Sequence, residues 1–476
     1  LLIAFEEHFD LGFESRSSSE YASEEGAAVP TDTFATINRE TEMTRPTSPT
    51  KTRAGVTRRQ LLQGSAAVAG AGVGSGILGA PMIWAQNIKD VTLTQVGPSY
   101  SVIADICEKA SADLGFKIVP QTADTTQLMA KVVNQPETVD IADFEFWGLQ
   151  KVYRAGNLQP VDISKIKLWG EMTPLMRDGK NFDGADLSRQ GTLPFEVLYT
   201  DSAESKDFAA EATGLATVMP TIYNADTLGI RPDLTGREIT SWAELFNPEF
   251  KGKTALVNIP SIGIMDAAMA LEARGDLTYG DKGNMTTEEI DKTIDALIAL
   301  KKGGQFRAFW STFDESVNLM AAGEVVIQSM WSPAVTAVKS RGINCVYQGL
   351  SQGYRGWGLG MGLMRHLEGV KLDAAYEYLN WYLTGWQGAF IARQGYYSSV
   401  PSTAMANLSE NERGYWYEGK AATEDIKDPY GNIMDKAGAL RDGGSFEQRM
   451  GNIACWNTVM DEDRYMIQRW NEFISS

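Results

Sequence analysis

Beyond residue 90 the chain alternates short apolar runs with stretches whose apolar residues recur every three or four positions, the pattern of strands layered with amphipathic helices. Val91–Val96, Phe116–Gln121 and Val139–Phe144 read as strands, with helices Val102–Leu114 and Leu128–Asn134 between them. This βαβαβ start predicts a mostly parallel sheet whose ligands sit beyond the carboxyl ends of its strands, so the loops at 97–101 and 143–148 are expected to face a cleft. Further on, Leu215–Tyr223, Thr254–Ile259, Glu324–Trp331 and Gly356–Met364 read as strands, and Ser241–Phe246 and the aromatic Leu372–Thr384 as helices. One helix is marked at both ends: Thr286 and Glu289 form a capping box, Ile290, Ile294, Leu297 and Ile298 make its apolar stripe, and Gly303 stops it. No internal repeat interrupts this alternation.

The first 86 residues follow a different pattern. Arg45, Lys51, Arg53, Arg58 and Arg59 come without an acid between Met43 and Arg59, and residues 60–88 then carry no charge. That is the n-region and h-region of a signal peptide. Thr57-Arg58-Arg59-Gln60-Leu61-Leu62 resembles the twin-arginine export motif, and the Gly- and Ala-rich apolar run that follows suits that route. The expectation is a signal peptide over 43–85, cleaved after Ala85, which makes the twin-arginine export machinery a partner and the periplasm the destination. A membrane anchor over residues 64–85 is the competing reading, and six glycines in those 22 residues weigh against it. Residues 1–42, acidic and rich in Ser and Glu, read as a disordered upstream extension before a start at Met43.

Composition removes several chemistries from the remainder. After residue 86 there are 36 basic and 51 acidic residues with no basic stripe, so nucleic acid is not an expected partner. One histidine, His366, remains in that part, which leaves no His-rich zinc site and reads as a surface residue. Cys107, Cys345 and Cys455 are widely spaced; a Cys345–Cys455 disulfide and three buried free thiols are both open. No cofactor motif and no metal cluster is expected.

The segment Thr240-Ser241-Trp242-Ala243-Glu244-Leu245-Phe246-Asn247-Pro248-Glu249-Phe250-Lys251-Gly252-Lys253 resembles a hallmark of the periplasmic spermidine/putrescine-binding proteins and their relatives. Leu114-Gly115-Phe116-Lys117-Ile118, Gly323-Glu324-Val325 and Gly395-Tyr396-Tyr397 through Val400-Pro401 agree with that family in order. The resemblance spans roughly residues 91–470. It implies an α/β, two-lobed, periplasmic-binding-protein-like fold of type II, each lobe a mixed sheet flanked by helices. It also implies a monomer that captures a small-molecule ligand and delivers it to an ABC permease and its ATPase. Crossings near 215–221 and 353–358 divide the chain into one lobe of 86–217 plus 357–402 and a second of 218–356 plus 403–476.

The resemblance places Trp331, Trp357 and one of Tyr396 and Tyr397, taken as Tyr397, in the ligand pocket, where aromatic faces attract ammonium groups. Strand alternation puts Asp143, Glu145 and Trp147 on one face, so that Glu145 would bind a cation and Trp147 stack on its carbon chain; a solvated acidic turn is the alternative. Ser99 and Tyr100 fill the first loop, and Ser261 sits where the family carries an acidic pair. Here Asn258-Ile259-Pro260-Ser261-Ile262-Gly263 has no acid, and Leu359 stands where the family has a third carboxylate. Arg355 precedes Trp357 and suits a carboxylate or phosphonate through its planar fork. The run Gly356-Trp357-Gly358-Leu359-Gly360-Met361-Gly362 leaves one strand face bare, for close ligand approach or for tight packing.

The leading expectation is therefore a transport receptor rather than an enzyme, with no catalytic residues. Polyamine-like amines are the default ligand, a zwitterionic or anionic solute the rival, and ferric ion a third reading from the paired tyrosines. A periplasmic carboxylate-dependent hydrolase is the competitor from another class, and a chemosensory role shares every feature with transport.

Overall fold

The computed structural model describes residues 88–476. The upstream extension, the signal peptide and its Arg58-Arg59 pair lie outside the described residues. The opening βαβαβ unit is present as β1 (Thr92–Gly97), α1 (Ala104–Leu114), β2 (Lys117–Thr122), α2 (Thr125–Asn134) and β3 (Ile141–Glu145). β1 pairs in parallel with both β2 and β3. α3 (Phe146–Val152) follows β3 with no loop between them, so Trp147 sits in a first helical turn instead of continuing the strand alternation.

The later elements that build the site are β4 (Met219–Ile230), β5 (Thr254–Val257), α4 (Pro260–Arg274), α5 (Thr287–Lys302), β6 (Phe306–Trp310), α6 (Phe313–Ala322), β7 (Ile327–Met330), α7 (Ser332–Ser340), β8 (Tyr354–Met364), α8 (Gly369–Tyr382), β9 (Ile453–Trp456) and α9 (Asp463–Ser475). The predicted capping box of α5 is formed, with Gly303 as its C-cap. The Trp242–Phe246 segment closes as a 3₁₀-helix instead of an α-helix.

The strands run in the order β2-β1-β3-β8-β4-β7-β5-β6, with β9 beside β8. β4 is the joint. Its twelve residues are all buried; those up to Asp226 pair antiparallel with β8, and those from Thr227 onward pair with β7. One continuous strand therefore serves two sheets, and the change of partner falls between Asp226 and Thr227.

Each half has its own core. The first gathers Leu93, Ile141, Phe144, Val218 and Leu359, and also Trp416, Phe446, Met450 and Trp456. The second half packs α4, α5 and α9 on one sheet face, through Ile264, Ile294 and Trp470, and α6 and α7 on the other, through Val317 and Val335. Two features of the sequence-based division are corrected. Residues 219–225 and most of 403–456 pack into the first core, and the chain returns to the second at Cys455, followed by Met460, Met466, Trp470 and Phe473. The chain passes between halves inside β4, between Leu350 and Tyr354, and around β9.

The glycine row of β8 is close packing. A Cβ on Gly358 would lie 2.4 Å from Met176 Cε, and one on Gly360 would lie 2.3 Å from Val218 Cγ2. The three cysteines are free and buried in separate places, so the Cys345–Cys455 pairing is not formed. Burial pushes each thiol up to about 12.

Candidate functional site

Strand ends of both halves converge on one cleft. Its largest chamber, about 700 Å³, is walled by Ser99, Tyr100, Glu145 and Trp147 from the first half and by Ile259–Ile262, Phe313 and Trp331 from the second. An adjoining chamber of about 410 Å³ runs past Tyr396 towards Tyr430. Both meet, through Tyr100 and Trp331, a deep recess of about 50 Å³ lined by Glu145, Asp226, Trp357, Tyr396 and Asn457.

Aromatic rings wall the recess. Tyr100 meets Trp357 edge-on at 5.5 Å and stacks on Tyr396 at 6.2 Å, while Trp357 meets Tyr396 at 5.7 Å. Trp331 is steadied edge-on by Trp310 at 4.8 Å. Such a ring of quadrupoles favours a cation over the ring faces, by about 0.5–2 kcal/mol per ring when water is excluded.

Two carboxylates reach the recess. Glu145 is the N-cap residue of α3, but its side chain makes no capping bond and turns into the cleft. It accepts from Tyr100 Oη at 2.8 Å, Trp147 Nε1 at 2.5 Å and Asn457 Nδ2 at 3.1 Å. All three donors are neutral, so no cation of the described residues compensates it. Burial, reinforced by the neighbouring Glu145 charge, holds the Tyr100 phenol well above its ordinary range. Asp226, on β4 at the switch between sheets, accepts from Tyr347 Oη at 2.8 Å and from Arg355 Nη2 at 3.3 Å. Burial raises its carboxyl to about 6, against the opposing pull of Arg355 and of hydrogen bonds from Tyr347 and Trp357.

Arg355 does not face the ligand space. It is 1% exposed, and its fork is consumed by Asp266 at 2.7 Å, Asn457 at 2.6 Å and Asp226. Burial works against its charge, but Asp266 and Asp226 outweigh that and raise its pKa above the ordinary arginine value. The expectation that its planar fork receives a ligand carboxylate is thereby corrected: one guanidinium already serves two buried acids.

Of the other residues singled out from sequence, Ser99, Tyr100, Glu145, Trp147, Ser261 and Trp331 border the largest chamber and Trp357 the recess. Tyr397 does not come with them. It is fully buried in a two-residue strand, Tyr397–Ser398, that pairs with β4, against Tyr223 and Phe446, and its neighbour Tyr396 takes the cleft position. Sequence reasoning missed Asp226, Asn457 and Ile262. For Asp226 a signal existed, since it is the single charged residue in the twelve-residue apolar run Met219–Ile230.

Two halves joined by three crossings around an aromatic, acid-floored cleft define a two-lobed binding protein. The chain belongs to the bacterial extracellular solute-binding protein family, whose model matches residues 103–413. The spermidine/putrescine-binding periplasmic protein of Escherichia coli strain K12 is 23% identical over 241 residues, 50% of this chain and 57% of that protein. The matched stretch thus spans little more than half the length of this curated relative. The same fold occurs in the spermidine/putrescine transporter substrate-binding protein of Streptococcus pneumoniae, with a TM-score of 0.55 at 15% identity, covering 81% of this chain and 97% of that one. A Listeria monocytogenes protein described as a putative spermidine/putrescine transporter matches with a TM-score of 0.55 at 17% identity, over 80% of this chain and 98% of its own.

Proposed function

We propose that this protein captures a small organic amine in the inter-lobe recess and delivers it, in the periplasm, to an ABC permease and its ATPase. The observation that carries the reading is the charge count of the recess floor. Glu145 and Asp226 line the recess; the one buried cation beside them, Arg355, is shared between Asp226 and the deeper Asp266 and does not reach Glu145, so the floor has negative charge to spare in a space walled by four aromatic rings. Buried charge without a partner costs several kcal/mol, and an ammonium head supplies that partner. Asp226 stands in for the family carboxylates missing at Asn258–Gly263 and Leu359: it reaches the same space from the crossing strand. With Arg355 committed internally, the rival anionic ligand loses its anchor. The paired tyrosines behind the ferric reading do not converge: Tyr396 lines the recess, whereas Tyr397 is packed away against Tyr223 and Phe446. Solute binding, the activity the family is described by, favours a receptor over a hydrolase.

The test is isothermal titration with putrescine, spermidine, monoamines, amino acids and phosphonates, on the wild type and on Glu145→Gln. The expected outcome is binding of amines alone, weakened about tenfold or more in the variant through loss of one buried charge contact. Tight binding of a phosphonate or an acidic amino acid that the variant leaves unchanged would overturn the reading.

A further inference from the structure

A second buried charge cluster lies behind the cleft, between α7 and the segment 415–449. Lys339, on α7, reaches Asp442 at 2.8 Å and Asp435 at 3.1 Å. Asp442 also accepts from the Tyr347 backbone N–H at 2.9 Å, and Asp435 accepts from the Tyr415 hydroxyl. Both carboxylates are committed to these partners. Arg441 and Arg449, 7% and 1% exposed, stand beside them, and among the described residues neither forms an ion pair with a carboxylate.

Their surroundings are aromatic. Arg441 lies over the Trp416 ring at 4.2 Å, and Arg449 lies over Tyr347 at 5.4 Å and Tyr354 at 5.6 Å. Arg449 Nη1 donates to the Asp442 carbonyl at 3.1 Å, and Arg441 Nη2 donates to the Gly395 carbonyl at 3.4 Å. That leaves Arg441 Nε, Arg449 Nε and Nη2 and the Trp416 indole N–H without an acceptor among the described residues. All four are donors. Three cations face two carboxylates, so one positive charge is unmatched. The two arginines and Trp416, together with Lys339 and its partners Asp435 and Asp442, border a cavity of about 20 Å³, room for a single particle the size of a water molecule.

We propose that this cavity is a binding site for one monatomic anion, chloride being the available one. Charge and size argue together. Water would accept hydrogen bonds but leave the surplus charge buried, which is costly, while sulfate, phosphate and carboxylates exceed the space. The site shares its walls with the ligand cleft: Thr336 borders both, α7 begins directly after Trp331, and Tyr347, beneath Arg449, donates to Asp226. An anion there braces the helix that carries one wall of the recess. This assignment is independent of what the cleft binds.

The experiment compares melting of the full chain in chloride and in gluconate at constant ionic strength, and soaks crystals in bromide. The expected result is a melting temperature about 2 °C or more higher in chloride, with an anomalous bromide peak between Arg441 and Arg449. Arg441→Gln removes the surplus charge and is expected to abolish the chloride effect. Equal melting in both salts, or an ordered water at that position in the presence of bromide, would overturn the proposal. If the variant does not fold, the bromide peak decides alone.

Discussion

Asp143 and Glu145 stand two residues apart on β3 and meet different surroundings. Glu145 looks into the cleft, whereas Asp143 is fully enclosed, with Gln95 Nε2 on both its oxygens, at 3.1 and 2.9 Å. Burial raises the Asp143 carboxyl to about 7, with hydrogen bonds from Ser101 and Gln95 working the other way. Because this folded-state pKa lies above that of an unfolded aspartate, the folded protein holds the extra proton. The contribution is complete below about pH 4 and is lost as pH rises through about 7. Asp143→Asn is therefore expected to flatten the decline in melting temperature between about pH 5 and pH 8, and to leave the variant more stable than the wild type at the alkaline end. Scanning calorimetry across that range checks it; an unchanged slope would show that Asp143 is ionised throughout. At this scale the sequence showed chemistry but not partners. Glu145 was legible because an acid ending a strand before a cleft loop is conspicuous. Arg355 was misread because its two acids, Asp226 and Asp266, are 129 and 89 residues away in the chain. Tyr397 opens a two-residue strand, Tyr397–Ser398, and Tyr396 is the residue just before it; no periodicity over so short an element settles which of the two meets the cleft.

Elements were legible where their pattern had a direction. α5 declared itself through a capping box and a one-sided stripe, and the βαβαβ start through alternation. α4 did not, because it is buried all round: nine consecutive residues of its fifteen, from Gly263 to Leu271, are enclosed, the acid Asp266 among them. A helix enclosed on every side has no hydrophobic period to read. Its Gly263 shows what the enclosure demands. A Cβ there would lie 2.4 Å from Trp470 Cη2 and 2.4 Å from the Val257 carbonyl oxygen. Gly263→Ala gains up to about 1 kcal/mol of helix propensity, but overpacking a filled core against backbone costs about 1–3 kcal/mol. The expected net effect is destabilisation, read as a lower urea midpoint with an unchanged slope. A stabilised variant would mean that α9, which carries Trp470, yields at no cost.

At the scale of the molecule, the two-lobed plan was legible because alternating strands and helices admit few arrangements and one segment resembled a known family. The membership of residues 403–456 was not, since nothing local tells a returning chain which of two sheets it will join. The three crossings give the halves a hinge. At the hinge side, Gly191 N–H donates to Asp281 at 2.9 Å, and Thr192 meets Thr458, contacts made by backbone and short side chains. At the cleft mouth Lys151, at the end of α3, pairs across the lobes with Asp463, at the start of α9. Lys151 is half-exposed, so the pair is worth at most about 1 kcal/mol and weakens with salt. A contact that small cannot set the affinity of a buried recess, but it forms only when the lobes are together, so its loss should act on opening. Lys151→Met is expected to raise the ligand release rate about two- to fivefold and leave the association rate within error. High salt should produce the same change in the wild type and none in the variant. Stopped-flow tryptophan fluorescence, with Trp331 and Trp357 in the recess as reporters, measures both rates. A variant that slows association instead would place the pair in the encounter step, before closure.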